Sequence, residues 1–405
     1  MKADKTIFWL FRLLILFWTF YGAHAWFTWF MSMGEFFRFT QFLTLLTAVV
    51  SILYHKTYVK KSFWNKRNII VFILFEFLSL RADFSITYFL SAFICIPVLV
   101  LLDDIKNSYS HLKFIATTLS AIIVPGLILH FLFIFSFLPT SVPIVYPGSS
   151  VYVFSNYLFV LEGLIYEQGS GRFMSIFLEP GYFATLSVFL LYALKFNFKL
   201  KQVKILTIGI LCSLSLFGYG AFAIAYLYYQ GINGVKIQKY LVILIAMVLF
   251  VSIFKDLNGG HNIINEKILS RLESDDERDF AGNNRVGEGV DTYFDYYLST
   301  GDLIQGVGND EIRKINDAST GSFGDSIRGA GYKIFFIREG IIAAVAYLFI
   351  YLLMALYKIP KAQKLYSYGF VVLIIITFIQ ASYPSSFSWL VPFVLGISSY
   401  RKQIN

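Results

Sequence analysis

Stretches of up to about twenty mostly apolar residues, several followed by short basic loops, recur along most of this 405-residue chain. The roughly 30 Å hydrocarbon layer of a bilayer requires a helix of about that length. No other feature constrains the fold so tightly. Spans are expected near 7–23, 36–54, 69–82, 84–102, 114–137, 177–194, 203–217, 218–231, 240–254, 332–357, 366–382 and 386–400. That gives twelve. The close pairs 69–102 and 203–231 could each form one kinked or re-entrant segment, which would lower the number to ten or eleven.

Composition agrees with this pattern. The chain is 57% hydrophobic and 15% charged, with a mean hydropathy of +0.65, whereas a soluble domain is about half apolar and a quarter charged. A soluble globular enzyme, a disordered protein and a secreted disulfide scaffold are excluded. Its 44 Phe, 27 Tyr and 6 Trp exceed what a water-facing surface carries. The expected fold class is all-α: a polytopic membrane protein with about 12 transmembrane helices and two long periplasmic loops, one integral membrane domain over residues 1–405. Lys2 and Lys5 ahead of the first apolar run, with Ala23-His24-Ala25 at its end, imitate a secretory signal. Arg12 interrupts that run, so an uncleaved first helix is expected.

The net charge is +9. In a soluble protein this would raise nucleic acid as a partner; here retention of basic residues on the cytoplasmic side is the better account, and no nucleic acid is expected. Lys2 and Lys5, the 55–68 and 195–204 loops, Lys106 and Lys113, Lys236 and Lys239, Lys358, Lys361 and Lys364, and Arg401 with Lys402 fall on one side. They make up twenty of the 34 basic residues. An even number of spans then puts both termini in the cytoplasm.

Two long segments remain on the other face, 138–176 and 255–331. The second carries fifteen acidic and eight basic residues and twelve glycines, and reads as short helices and turns. Cys95 and Cys212 lie in apolar runs, as small buried hydrophobes rather than a disulfide or metal pair. Phosphate-binding loops, dinucleotide glycine fingerprints, nucleophile elbows and zinc-spaced His/Cys clusters are missing. No metal and no cofactor are therefore expected. Only His261 of the five histidines lies in the large loop, so arginines and carboxylates are left to do chemistry on the outer face.

The most informative stretch runs from Arg172 to Ala184, through Glu179-Pro180-Gly181 and into an apolar span. Pro180 suits a first helical position, where its missing N–H is no loss, and Glu179 would sit at the positive end of the helix dipole. Arg172 reads either as a snorkelling anchor or as a guanidinium placed where a lipid pyrophosphate would lie. In the large loop Arg271, Arg278 and Arg285 recur every seven residues, roughly on one helical face; a solvated charged helix is the alternative. Downstream stand Asp325, Arg328, and Arg338-Glu339-Gly340 at the start of a span. Arg338 and Glu339 are adjacent and would not face each other on a helix, so each is expected to find another partner. Glu76 is a charge inside a span.

Four pieces in this order resemble the Wzy family of bacterial O-antigen and capsular polysaccharide polymerases. They are Arg172 to Ala184; Leu214-Ser-Leu-Phe-Gly-Tyr-Gly220 between two spans; Arg285 followed by Ile304-Gln-Gly-Val-Gly308; and Arg338-Glu339-Gly340-Ile341. The match covers the middle and C-terminal half. Residues 1–110 match only as generic membrane helices. The family often has Ser-Arg or Thr-Arg at the second piece, where Phe217 and Gly218 stand here. The related ligases carry a histidine late in the large loop, a place held here by Asp325 to Arg328, which favours polymerase over ligase.

The resemblance implies a glycosyltransferase of the bacterial inner membrane, acting at its periplasmic face in lipopolysaccharide or capsule biosynthesis. Donor and acceptor would both be undecaprenyl-pyrophosphate-linked glycans, with a Wzz-type co-polymerase as chain-length partner. Arg172 and Arg285 would hold the departing pyrophosphate, and Glu179 or Asp325 would take the acceptor proton. Arg271, Arg278, Arg328, Arg338 and Glu339 would bind substrate. The alternatives are an O-antigen ligase and a transporter or flippase of lipid-linked sugars.

Overall fold

The computed structural model describes residues 2–32, 36–60, 62–82, 89–90, 92–147, 153–164, 171–234, 255, 265, 288–318, 331–357, 359–380 and 387–402. It is mostly helical. Helices α1 (Lys2–Gly22), α2 (Phe36–Tyr54), α3 (Lys66–Ala82), α4 (Cys95–Asp103) and α5 (Ser108–Ile134) lead to strands β1 (Pro143–Val145), β2 (Val153–Asn156) and β3 (Leu161–Gly163). Then follow α6 (Pro180–Ala193), α7 (Lys201–Cys212), α8 (Leu216–Ile232), α9 (Glu288–Thr300), α10 (Gly308–Ala318), α11 (Tyr332–Leu356), α12 (Lys361–Gln380) and α13 (Phe387–Lys402).

Among the described residues, four segments are long and apolar enough to cross a membrane: Asp4–Gly22, Phe36–Val59, Ser108–Ile134 and Tyr332–Leu356. Such a set marks a multi-pass membrane protein. Pro180–Ala193 and Gln363–Phe378 are apolar but shorter. The expected span at 240–254 lies outside the described residues. The 203–231 run is two helices, parted at Ser213–Ser215, where Leu214 takes φ 45°.

At the centre lie α6 and α13. Every residue of α6 except Tyr182 is buried, and so is α13 from Trp389 to Tyr400. A helix that is apolar all round belongs inside, and α13 packs against α6, α4, α1 and α5. Glycines let the neighbours of α6 approach closely, as is common between membrane helices. A Cβ on Gly209 of α7 would sit 2.6 Å from the Phe183 ring, and one on Gly218 of α8 2.5 Å from the Ala184 Cβ. The outer helices turn apolar side chains outward (Leu13, Phe42, Ile73, Ile128, Val345). On a water-soluble protein that surface would be a liability; against acyl chains it is the expected finish.

Arg12 has a local solution at the basic end of the bundle. Its Nε donates to His111 Nδ1 at 3.3 Å and its Nη2 to Ser110 Oγ at 2.6 Å. The rings of Phe8, Trp9 and Phe114 lie 4.5, 4.9 and 5.0 Å from its Cζ, a favourable cation–π setting. Because His111 accepts at Nδ1, its neutral form carries the proton on Nε2, 2.9 Å from the Tyr54 hydroxyl. Tyr54 in turn donates to Asp104 and accepts from Asn107. This buried network joins α1, α2 and the α4–α5 turn.

Two expectations need correction. The chain is not wholly helical, because the 138–176 loop folds into an antiparallel meander, β1–β2–β3, with Val145 opposite Val153 and Ser155 opposite Glu162. The expected span at 332–357 is not straight either. Gly340 takes φ 81° and ψ 168°, and the rings of Phe335 and Tyr347 lie 6.0 Å apart, where twelve residues of straight helix would separate them by about 18 Å. The arm before Gly340 folds back over the arm after it.

Candidate functional site

Residues 171–179, just before α6, form a buried strap. Buried backbone groups must find partners, and this strap finds them on three sides. Phe173 N–H donates to the Cys212 carbonyl at the end of α7 (3.1 Å), and Ser175 C=O accepts from Leu161 of β3 (2.9 Å). On the third side Ile176 C=O accepts from Trp26 N–H, and Leu178 N–H donates to the His24 carbonyl. The Ala25–Phe177 bridge completes this join to the turn after α1.

Two of the expected site residues ride on this strap. Arg172 is 7% exposed and lies within electrostatic reach of Tyr219 at the start of α8. Glu179 occupies the N-cap position of α6 in extended conformation, with Pro180 as first helical residue, as the Glu-Pro-Gly sequence implied. Opposite Glu179 sits His24, about 150 positions earlier in the chain, its ring 4.7 Å from that of Tyr182. Burial holds the His24 imidazole below its usual pKa, and the Glu179 charge acts in the opposite sense. Nothing local in the sequence marks His24, because the strap alone brings it to Glu179.

Beneath the strap, His130 of α5 and Glu162 of β3 form a pair with Nδ1 and Oε1 2.6 Å apart, 2% and 0% exposed. The Phe173 ring lies 5.4 Å from the His130 ring. Burial raises the Glu162 pKa, against the opposing hydrogen bond and charge of His130. The meander is thus tied to α5 by a titratable pair that the sequence reading did not single out.

A second junction joins the third and fourth resembling pieces. Val307 N–H donates to the Ile337 carbonyl at 2.7 Å. Gly306, at φ 76°, lies so close to the α11 bend that an added Cβ would be 2.6 Å from the Arg338 carbonyl oxygen. An added Cβ on Gly340 would be 2.4 Å from the Gln305 carbonyl carbon. Val290, Tyr297, Leu303 and Ile337 form a small apolar cluster under this lock. The bend also overturns the expectation for Arg338 and Glu339. With the helix broken at Gly340 they pair directly, Nε to Oε1 at 2.9 Å, instead of finding partners elsewhere.

The structure thus joins the pieces in twos: 172–184 with 214–220, through the close approach of Gly218 to Ala184, and 304–308 with 338–340. Arg271, Arg278, Arg285, Asp325 and Arg328 lie outside the described residues. No group of three or more metal-ligating side chains occurs among the described residues. A cavity of about 560 Å³ lies at the other end of α1 from the strap, lined by Asp4, Tyr58, Lys60, Asp103, Asp104 and Lys106 among others. The length of α1, about 30 Å, separates the two. No family model, no curated protein and no solved structure matches this chain.

Proposed function

We infer that this chain is a polysaccharide polymerase of the bacterial inner membrane. In this reading it crosses the bilayer about twelve times, keeps both termini in the cytoplasm and joins undecaprenyl-pyrophosphate-linked repeat units at the periplasmic face. One observation carries the reading. The described parts of four sequence pieces that resemble the Wzy polymerases pack into two junctions, and the first seats Arg172 and Glu179 on one strap. The strap lies at the end of the bundle opposite to the basic loops, the side assigned to the periplasm by charge.

The chemistry asks little beyond positioning and charge stabilisation. A hydroxyl on the distal sugar of a newly flipped repeat attacks the anomeric carbon of the growing glycan. The new C–O bond forms as the bond to pyrophosphate breaks, and the electron pair leaves with the lipid diphosphate. Guanidinium groups fixed in advance stabilise the charge gathering there, and a planar fork suits phosphate oxygens better than a lysine does. Arg172 and Arg285 take that role. Arg338 is the weaker contributor, since its Nε is engaged by Glu339. Glu179, or Asp325 of the large loop, accepts the hydroxyl proton. A Wzz-type partner would set chain length.

The test is a deletion strain complemented with variants at matched membrane levels. A polymerase null leaves lipopolysaccharide bearing one repeat unit, and Arg172→Ala and Arg285→Ala are expected to reproduce that pattern. Bare core instead would indicate a ligase; a full ladder in both variants would remove the mechanism. The second reading, a transporter of lipid-linked sugars, is favoured by one residue, the buried carboxyl of Glu76 midway along α3.

A further inference from the structure

Glu76 stands eleventh in α3 (Lys66–Ala82), about 15 Å of helix rise beyond Lys66. With Lys66 and Arg67 at the membrane surface, that is half of a hydrocarbon layer of about 30 Å. The residue is 9% exposed, and neither carboxyl oxygen has a hydrogen-bond partner among the described residues. Among the described residues nothing compensates a charge there. One turn earlier, Phe72 packs its ring 6.2 Å from that of Phe93. The neighbouring Phe75 meets the Tyr347 ring edge-on at 6.1 Å, and Tyr347 in turn lies within electrostatic reach of Arg338 and Glu339. From α4, the titratable group within electrostatic reach is the fully buried Cys95. Ile73 and Phe77, on the same helix, are 59% and 52% exposed, the face that α3 would turn to lipid as one of the spans of the proposed reading.

An unpaired carboxylate in such a place is strongly disfavoured against its protonated form. A metal ion would need several further oxygen ligands, and among the described residues neither Glu76 oxygen has a hydrogen-bond partner that could supply one. A proton needs none. We propose that Glu76 is a proton-binding site inside the membrane-spanning bundle, reached from the lipid side of α3. Releasing the proton leaves a bare charge in the seam between α3 and α4, so opening of that seam is coupled to proton release.

A protonated carboxyl in lipid reacts with lipophilic carbodiimides, which gives the test. The carboxyl oxygen bonds to the central carbon of the reagent while the carboxyl proton moves to one of its nitrogens. The acyl group then migrates from oxygen to nitrogen, leaving a stable N-acylurea and releasing nothing. The intact protein in lipid nanodiscs is treated with dicyclohexylcarbodiimide and its peptides are weighed. An adduct is expected on Glu76 at neutral pH, slower at alkaline pH, unchanged when sodium replaces choline, and lost in Glu76→Gln, which should fold normally. Absence of the adduct from folded protein would overturn the proposal, as would equally fast labelling by a water-soluble carbodiimide. Protection by sodium would overturn it too, since the site would then hold a metal ion. No glycan enters the assay, so its outcome is independent of the polymerase reading.

Discussion

The glycine lock between the 304–308 turn and the α11 bend gives a prediction whose size follows from the coordinates. Gly340 sits at φ 81°, ψ 168°, a region essentially closed to residues with a Cβ, at a cost of about 1–3 kcal/mol. In Gly340→Ala the new Cβ would also start 2.4 Å from the Gln305 carbonyl carbon, where ordinary contact begins at 3.4 Å. The two backbones must part by about 1 Å, which breaks the Val307–Ile337 hydrogen bond, worth about 1 kcal/mol. Together this is about 2–4 kcal/mol, or roughly 30- to 1,000-fold in the local opening equilibrium.

Gly306→Ala drives the same separation from the other side. Once the backbones have parted, the second substitution costs only its own backbone strain, so the double variant should fall short of additivity by about 1 kcal/mol or more. Amide hydrogen exchange at Val307, read in the two single variants and the double, measures all three terms. Unchanged protection of Val307 in Gly340→Ala, or strict additivity, would refute the lock.

Two further outcomes are expected. Burial raises the Glu162 pKa, so the docked meander holds its proton more tightly than the undocked one; docking should therefore be strongest at acid pH and weaken as pH rises through the raised value. Hydrogen exchange across Val153–Gly163 would report this, and Glu162→Gln should flatten the dependence. Tyr54→Phe strips Asp104, His111 and Asn107 of their shared hydroxyl and should lower stability by about 1–3 kcal/mol, seen as earlier thermal unfolding in detergent.

The sequence revealed what depends on long apolar runs and strong local signals. Helices α1, α2, α5 and α12 overlap the spans expected from hydropathy, and Pro180 opens α6 where the Glu-Pro-Gly stretch implied. Short-range pattern failed where geometry is set by distant chain. Strands of three or four residues such as Leu161–Gly163 are too brief for an alternation to show. The bend at Gly340 lies in an apolar stretch that reads as one helix, because what demands it is the approach of Gly306, more than thirty positions away. The same holds for the Arg338–Glu339 pair, for His24 beside Glu179, and for His130 on Glu162. In each case a loop contact decides the neighbour, and no periodicity encodes it.

Transfer of a glycan from a lipid diphosphate is the function we propose for the Arg172 strap. Its most direct test is extension of a purified undecaprenyl-pyrophosphate-linked repeat by the purified protein in lipid, resolved by glycan length. A ladder of products that collapses to the single repeat in Arg172→Ala, with the variant still folded, is the predicted result. No extension by the parent protein, or an undiminished ladder from Arg172→Ala, would contradict the account.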